Sequence, residues 1–240
     1  MKIEAIATAQ QVIAQQVKDK TVVVIDVLRA TSVMVTALHN GASEVFPVLS
    51  ADEAFKLKAQ YASAVVLGGE RHAEPIDGFD YGNSPSSYSA DVVMGKALVM
   101  TTTNGTLAIN NAISAKELLV AAFINDVAIA DYLTNREEVV LVCSGNNGLY
   151  TLEDALCAGR IIALLKEMNK EVQVCDLALS LEQLYKSSAG QLMKLASQGH
   201  HYRVLQSKGY INDLEYCFKS NLTNAIPVWE GQSLKNNSRH

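Results

Sequence analysis

Short apolar runs alternate with longer amphipathic stretches through the first two thirds of the chain. Val22–Ile25 is a β-branched run that predicts a buried strand. The apolar spacing after it predicts a helix over about 31–40, ended by Asn40-Gly41. Further strands are predicted at 45–48, 65–67, 97–100, 118–123 and 139–143. Strands that alternate with helices indicate an α/β protein, and we predict a three-layer α/β/α fold with a largely parallel or mixed sheet.

The same pattern recurs at an offset of 75 residues without a gap. Thr31 corresponds to Thr106, and the strand at 65–67 corresponds to residues 140–142. Duplication of a βαβαβ unit is one hypothesis, and the periodicity shared by all α/β proteins is the alternative. The two units would cover residues 22–71 and 97–146.

The last third of the chain has a different character. From Val172 onward the pattern predicts one short strand and then several helices, and the polar residues from Lys235 to His240 predict a frayed end. We predict one α/β domain over residues 1–240, made of two pseudo-repeats and this helical C-terminal part.

Composition and charge exclude several classes of partner. The net charge is −5 with both signs interspersed, so nucleic acid is not an expected partner. The longest apolar run, Leu118–Ile124, is far shorter than the ~18 residues of a membrane-spanning helix. Neither a signal segment nor CxxC spacing is found, so we predict a cytoplasmic protein without zinc. Assembly into homo-oligomers is left open.

Candidate chemistry lies where the predicted strands end. Asp26, Arg29 and Thr31 follow the first apolar run, at the start of a helix. Other strand ends carry Glu70-Arg71, Thr103–Thr106 and Ser144–Asn147, with Glu153 and Asp154 in the next helix. If these strands are parallel, the polar groups meet at one edge of the sheet, where ligands of α/β proteins bind.

These groups suit a divalent cation and a phosphate. Carboxylate, hydroxyl and amide oxygens are ligands for Mg²⁺, and we predict Asp26, Glu70 and Asp154 as its ligands. Arginines and the free N–H groups of helix starts suit phosphate. The predicted phosphate contacts are Arg29, Thr31, Asn104, Gly105 and Thr106. The predicted catalytic residues are Asp26, Arg29 and Glu70.

Several known phosphatase signatures are missing. Leu28 stands where an aspartyl-phosphate enzyme of the haloacid dehalogenase type has a second Asp, and the chain has neither a Cys-x5-Arg loop nor a GxxxxGK[ST] loop. Either Asp26 attacks phosphorus, or Asp26 binds Mg²⁺ while a metal-activated water attacks. Because the companion Asp is missing, we favour the water.

Five blocks of the sequence resemble the 2-phosphosulfolactate phosphatases. They are Asp26-Val27-Leu28-Arg29-Ala30-Thr31, Gly68-Gly69-Glu70-Arg71, Gly78-Phe79-Asp80-Tyr81-Gly82-Asn83-Ser84-Pro85, Thr102-Thr103-Asn104-Gly105-Thr106 and Glu153-Asp154-x-x-x-Ala158-Gly159. The resemblance covers about 22–165. It implies a Mg²⁺-dependent hydrolase that removes phosphate from 2-phospho-3-sulfolactate, a step on a route to coenzyme M.

A sulfonate on the substrate would need fixed donors. We predict Arg71 for this role, helped by Asn83 and Ser84. Two alternatives stay open: the same scaffold could act on another small phosphorylated hydroxy acid, or it could be a non-catalytic module that binds an anion or nucleotide. The carboxylates favour an enzyme, because they would repel an anion unless a cation lies between them.

Overall fold

Eleven strands form one mixed sheet in the part of the chain that the computed structural model describes, residues 1–61, 64–169 and 171–238. The strands are β1 (Lys2–Ile6), β2 (Thr21–Ile25), β3 (Glu44–Pro47), β4 (Val65–Arg71), β5 (Glu74–Pro75), β6 (Ala97–Thr101), β7 (Glu117–Ala121), β8 (Glu138–Cys143), β9 (Gln173–Val174), β10 (Pro227–Glu230) and β11 (Ser233–Asn236). Their order across the sheet is β5-β4-β6-β3-β11-β10-β7-β2-β8-β1-β9.

Helices connect most of the strands and form most of the C-terminal part. They are α1 (Ala14–Val17), α2 (Ala30–His39), α3 (Ala51–Gln60), α4 (Ala90–Val93), α5 (Gly105–Asn111), α6 (Asp126–Leu133), α7 (Leu152–Met168), α8 (Asp176–Ser187), α9 (Leu192–Ala196), α10 (His200–Ser207) and α11 (Ile211–Cys217). Short 3-10 helices lie at Ala9–Gln11, Pro85–Ser87 and Phe123–Asn125. Within the ranges given above, no helix has the length and apolarity needed to cross a membrane.

The sheet consists of two parallel groups that run in opposite directions. In one group β6 lies between β3 and β4, and in the other β2 lies between β7 and β8. The hairpin of β10 and β11 joins the groups by three successive antiparallel pairings, so β3 runs opposite to β7. The sheet is therefore mixed, which was one of the two predicted forms.

The repeat predicted from the sequence has a structural counterpart. Helices α2 and α5 begin at Ala30 and Gly105, which are 75 residues apart, and the strands before and after them follow in the same order. The first strand of each unit lies between the other two strands of the opposite unit: β2 lies between β7 and β8, and β6 lies between β3 and β4. Duplication of one βαβαβ unit stays a hypothesis, with the periodicity shared by α/β proteins as its alternative.

Alternating side chains of β2 divide the core into layers. Val23 and Ile25 join a buried cluster with α6, α7 and α8, whereas Val22 and Val24 join a second cluster with α2 and α5. A third cluster packs β3, β4 and β6 against α3. Every residue of α2 except His39 is buried, as expected for a helix that is apolar on all sides. The three-layer α/β/α prediction is confirmed.

The sequence pattern missed the hairpin that joins the two halves. The expectation of a frayed end is wrong for Lys235 and Asn236, which belong to β11, whereas residues 239–240 lie outside the described residues. Each hairpin strand has four residues, and their partners in the sheet are more than a hundred residues away in sequence. Such pairing leaves little local pattern. The predicted helical character of the preceding segment is confirmed by α8–α11.

We expect the hairpin to contribute strongly to stability through Leu234. This side chain is fully buried and lies opposite Val45. Leu234→Ala should lower the free energy of unfolding by ~2–5 kcal/mol, because it removes apolar contacts and leaves a cavity. Urea denaturation measures this change. The matched control is Lys235→Ala on the same strand, whose exposed side chain should matter by less than ~0.5 kcal/mol. Equal effects of the two substitutions would contradict the role given to the hairpin.

Candidate active site

A cavity of about 200 Å³ opens where the loop after β2 meets the loop after β6. It is smaller than the ~300–1,000 Å³ pockets that hold drug-sized ligands, so it suits a small molecule. Its walls come from the ends of β2, β4 and β6, the loop after β8, and helix α10. The lining residues are Asp26, Leu28, Arg29, Glu70, His72, Ala73, Asn83, Thr102, Thr103, Asn104, Asn146, Asn147, His200, His201, Val204 and Leu205.

The two central loops meet because the first residues of α2 and α5 are in close contact. A Cβ atom at Gly105 would lie 2.5 Å from Cβ of Ala30 and 2.7 Å from Oδ2 of Asp26. Only glycine leaves room for this approach. The sequence predicts that these loops meet at one edge of a parallel sheet. They belong instead to strand groups of opposite direction, and the adjacent helix starts bring them together.

Two repeat-related threonines shape these loops. The Thr31 hydroxyl accepts from the backbone N–H of Asp26 at 3.0 Å and donates to its carbonyl at 2.8 Å. The Thr106 hydroxyl makes the same pair of bonds to Thr102, at 3.2 and 2.8 Å. Neither Thr31 nor Thr106 lines the cavity. Their hydroxyls therefore fix the loop backbone. Of the other predicted phosphate contacts, Arg29 and Asn104 line the cavity and Gly105 does not.

Asp26 is the buried carboxylate at the centre of the site. It is 7% exposed, and its Oδ1 accepts from the N–H of Ala30 at 3.3 Å. Burial raises the Asp26 pKa to about 7; His201 and the Ala30 hydrogen bond oppose this shift, while the negative charges of Glu70 and Glu153 add to it. Asp26 therefore takes up a proton near neutral pH unless a cation offsets its charge.

Glu70 and Asp154, the other two predicted metal ligands, occupy different positions. Glu70 lines the cavity, and its carboxylate accepts from the N–H groups of Thr103 at 2.9 Å and Ala73 at 2.8 Å. Asp154 does not line the cavity. Its oxygens accept from three donors, the N–H of Val27 at 2.8 Å, the N–H of Gly145 at 3.0 Å and the hydroxyl of Thr151 at 2.9 Å. Asp154 thus ties the loop after β2 to the loop after β8.

Arg29 is held in the cavity wall by residues from the C-terminal part. Its guanidinium is buried, pairs with Asp213 and lies over the Tyr210 ring, 3.8 Å from the ring centre. The other Asp213 oxygen accepts from the hydroxyl of Ser84 at 2.6 Å. Ser84, a predicted sulfonate contact, therefore helps to position the partner of Arg29 and does not line the cavity.

The other two predicted sulfonate contacts, Arg71 and Asn83, lie in different places. Arg71 is outside the cavity wall, and its guanidinium donates to the Glu70 carbonyl at 2.8 Å, the Thr101 hydroxyl at 2.8 Å and the Leu49 carbonyl at 3.1 Å. Asn83 lines the cavity. Its Oδ1 is buried and has no hydrogen-bond partner among the described residues, so it is free to contact a ligand.

The sequence pattern does not indicate the histidines of the site or the residues around Arg29. His72, His200 and His201 line the cavity, so three of the five histidines of the chain lie at this site. His201 Nδ1 is 2.8 Å from an oxygen of Glu153. Burial lowers the His201 pKa, but the hydrogen bond and charge of Glu153, with Asp26 and Glu70, outweigh burial and raise it. The pair His200-His201 at a helix start is the available clue, and it lies outside the five sequence blocks between about 22 and 165.

The donor set fits Mg²⁺ held by few protein ligands. Over residues 1–61, 64–169 and 171–238, no three His, Cys, Asp or Glu side chains form a ready-made metal cluster. Mg²⁺ usually keeps several waters and binds one or two carboxylates together with substrate phosphate. Asp26 and Glu70, two carboxylates in one small cavity, meet that requirement.

Comparison with known proteins is decisive for the family. The family model described as 2-phosphosulpholactate phosphatase matches residues 6–232. The chain belongs to this family. A relative from Clostridium perfringens is 43% identical over 239 residues, which are 98% of this chain and 96% of the relative. Relatives from Clostridium novyi and Clostridium tetani are 41% and 38% identical, over 95% and 98% of this chain and 96% and 100% of their own lengths. Each bears the name "Probable 2-phosphosulfolactate phosphatase".

The raised pKa of Asp26 predicts an unusual pH dependence of stability. A carboxyl whose pKa rises on folding binds more protons in the folded state, so it destabilises the fold as pH rises from about 4 to about 7. Asp26→Asn lacks this titration, so in EDTA its unfolding free energy should increase relative to that of the wild type between pH 4 and pH 8. The relative increase should be ~2–4 kcal/mol, at about 1.4 kcal/mol per pKa unit. Urea denaturation across this pH range measures the difference.

The control for that series is Asp19→Asn, which changes an exposed carboxylate away from the cavity. Its stability curve should run parallel to that of the wild type. If the Asp26→Asn curve also runs parallel to the wild-type curve, Asp26 titrates at its ordinary pKa and the description of a buried, destabilised carboxyl is wrong.

Proposed function

We propose that this chain is a Mg²⁺-dependent phosphatase that hydrolyses 2-phospho-3-sulfolactate to 3-sulfolactate and phosphate. The observation that carries the proposal is the placement of a buried carboxylate and a buried guanidinium, Asp26 and Arg29, in one small cavity of a chain from this family. A role on a route to coenzyme M and a cytoplasmic location stay predictions that come with this proposal.

Asp26 and Glu70 would hold the Mg²⁺ ion. When bound, the ion would neutralise negative charge on the phosphate and on the two carboxylates. The carboxylates argue against the alternative of a non-catalytic anion-binding module, because without a cation they repel a phosphate. Asp154 supports them indirectly, since its three hydrogen bonds fix the backbone beside Asp26.

Arg29 and Asn104 are the proposed contacts of the phosphate. The guanidinium of Arg29 is oriented by Asp213 and Tyr210, so it enters the cavity wall with a fixed geometry. Fixed donors that face developing charge are worth ~3–4 kcal/mol each at such sites. Asn104 is similarly restrained, because its side chain accepts from the N–H of Asn147 at 2.9 Å.

A second substrate of the same chemical class deserves a direct comparison. The guanidinium of Arg71 makes three hydrogen bonds outside the cavity wall. A sulfonate in the cavity would therefore be bound by side-chain amides such as that of Asn83 and not by a second free guanidinium. A small phosphorylated hydroxy acid without a sulfonate would fit the same phosphate contacts. It is therefore the alternative substrate.

The test is phosphate release from a matched pair of esters, 2-phospho-3-sulfolactate and 2-phospholactate, each with Mg²⁺ and with EDTA. The proposal predicts turnover of the sulfolactate ester, at least tenfold higher kcat/KM for it than for the lactate ester, and loss of activity in EDTA that returns with Mg²⁺. Asp26→Asn should be inactive under all conditions. Preference for the lactate ester would support the alternative substrate, and full activity in EDTA would contradict the role of Mg²⁺.

Oxygen isotope labelling tests which group attacks phosphorus. We expect attack by water, with Asp26 remaining a carboxylate throughout. A single turnover in ¹⁸O-water should place the label in the released phosphate and leave the Asp26 peptide unlabelled, as mass spectrometry can measure. Label in the Asp26 carboxylate would instead indicate a covalent aspartyl phosphate.

A further inference from the structure

His201 lies between two cavities and, like Asn146 and His200, lines both of them. It lines the catalytic cavity together with Asp26 and Asn104, and it also lines a smaller neighbouring cavity formed in part by Leu149 and Thr151. Its Nδ1 lies 2.8 Å from Oε1 of Glu153. Because a carboxylate accepts there, Nδ1 carries a hydrogen, and Nε2 is the ring nitrogen left for a ligand.

Glu153 holds the ring from behind the catalytic cavity. It is 1% exposed, lies in the first turn of α7 and does not line the catalytic cavity. Its second oxygen, Oε2, is buried without a hydrogen-bond partner in the described ranges of the chain. A buried carboxylate with one such contact stabilises the protonated imidazole beside it. The rings of His72 and His200 also line the cavity, but they make no hydrogen bond to a described residue.

The reaction needs a proton donor at the leaving oxygen. The ester oxygen of a phosphorylated hydroxy acid belongs to an alcohol, and an alkoxide is too basic to leave readily without a proton. Glu70 is poorly suited, since both of its oxygens accept from backbone N–H groups. Asp26 is assigned to the cation. His201 is the remaining group in the wall that a carboxylate orients, and that carboxylate stabilises its protonated form.

We propose that His201 is the general acid of the hydrolysis and that Glu153 is its positioning residue. This inference rests on the proposed function. As water oxygen bonds to phosphorus, the bond from phosphorus to the ester oxygen breaks, and its electron pair stays on that oxygen. The Nε2 proton of His201 moves to this oxygen and completes the hydroxyl of the product. One proton of the water that attacked then returns to the imidazole, which resets the site.

Leaving groups of different basicity test this role. His201→Gln should lower kcat by ~10²–10⁴ for 2-phospho-3-sulfolactate and 2-phospholactate, the range that general acids supply. With 4-nitrophenyl phosphate, the kcat of the same variant should fall less than tenfold, because the 4-nitrophenolate leaves without a proton. Glu153→Gln should show the same selectivity with a smaller loss on the alkyl esters. His39→Gln is the control, since His39 has a hydrogen-bonded ring outside the cavity.

Equal losses of His201→Gln on alkyl and aryl esters, or no loss on the alkyl esters, would overturn the proposal. If the wild type does not cleave the aryl ester, the test is instead the kinetic isotope effect on cleavage of an alkyl ester that carries ¹⁸O at the bridging position. That effect should increase in His201→Gln, and an unchanged value would overturn the role. If the wild type cleaves 2-phospholactate but not the sulfolactate ester, the proposed substrate is wrong. The role of His201 can still be tested by comparing 2-phospholactate with the aryl ester. If the wild type cleaves no alkyl ester, both proposals fail.

Discussion

The contact between the first residues of α2 and α5 is the constraint on which the site depends. Gly105 lies against Ala30 and Asp26 so closely that a single added Cβ atom would collide with both. The helices belong to repeat-related units and share one buried cluster between the two strand groups. Because their starts are adjacent, two loops from strands of opposite direction face one cavity. In a parallel sheet the loops would have met at a common edge, whereas in this chain they meet through the contact between the two helix starts.

Charge balance is the second organising feature. Asp26, Glu70, Glu153 and Asp154 are all buried around the loop after β2. Arg29, which could neutralise them, is already paired with Asp213. Within the part of the chain that the structure describes, His201 pairs with Glu153 at 2.8 Å, and the Arg71 guanidinium donates to the backbone carbonyl of Glu70 and not to its carboxylate. Burial raises the pKa of Asp26 and of Asp154, and the neighbouring negative charges add to both shifts. Such buried negative charge destabilises the folded protein, and the proposed Mg²⁺ would offset it.

Local patterns were sufficient for the fold class, because buried strands and helices leave strong periodicity. They were also sufficient to select Asp26, Arg29, Glu70 and Asn104, which all line the cavity. Hydroxyl groups were harder to place from sequence. A threonine at a strand end can contact a ligand or bond to its own loop backbone, and Thr31 and Thr106 do the second.

The C-terminal contribution could not be predicted, because it depends on contacts between distant parts of the chain. Asp213 fits the sequence pattern of a helix cap, yet its carboxylate pairs with Arg29, 184 residues away. The sequence suggests a free guanidinium at Arg71, but its orientation is set by the carbonyl of the adjacent Glu70 and by two groups from other segments, the Leu49 carbonyl and the Thr101 hydroxyl. His201 reaches the cavity only because α10 packs over it.

Calorimetric titration with Mg²⁺ tests most directly whether the buried Asp26 carboxyl is the cation's ligand. Binding to a carboxyl that is partly protonated near neutral pH must release protons, and the number released follows from the heats in two buffers with different ionisation enthalpies. The wild type should release protons at pH 6.5 and fewer at pH 8.5. Asp26→Asn should bind Mg²⁺ much more weakly and release none. Equal Mg²⁺ affinity in the two proteins, or binding without proton release at pH 6.5, would contradict this account of the site.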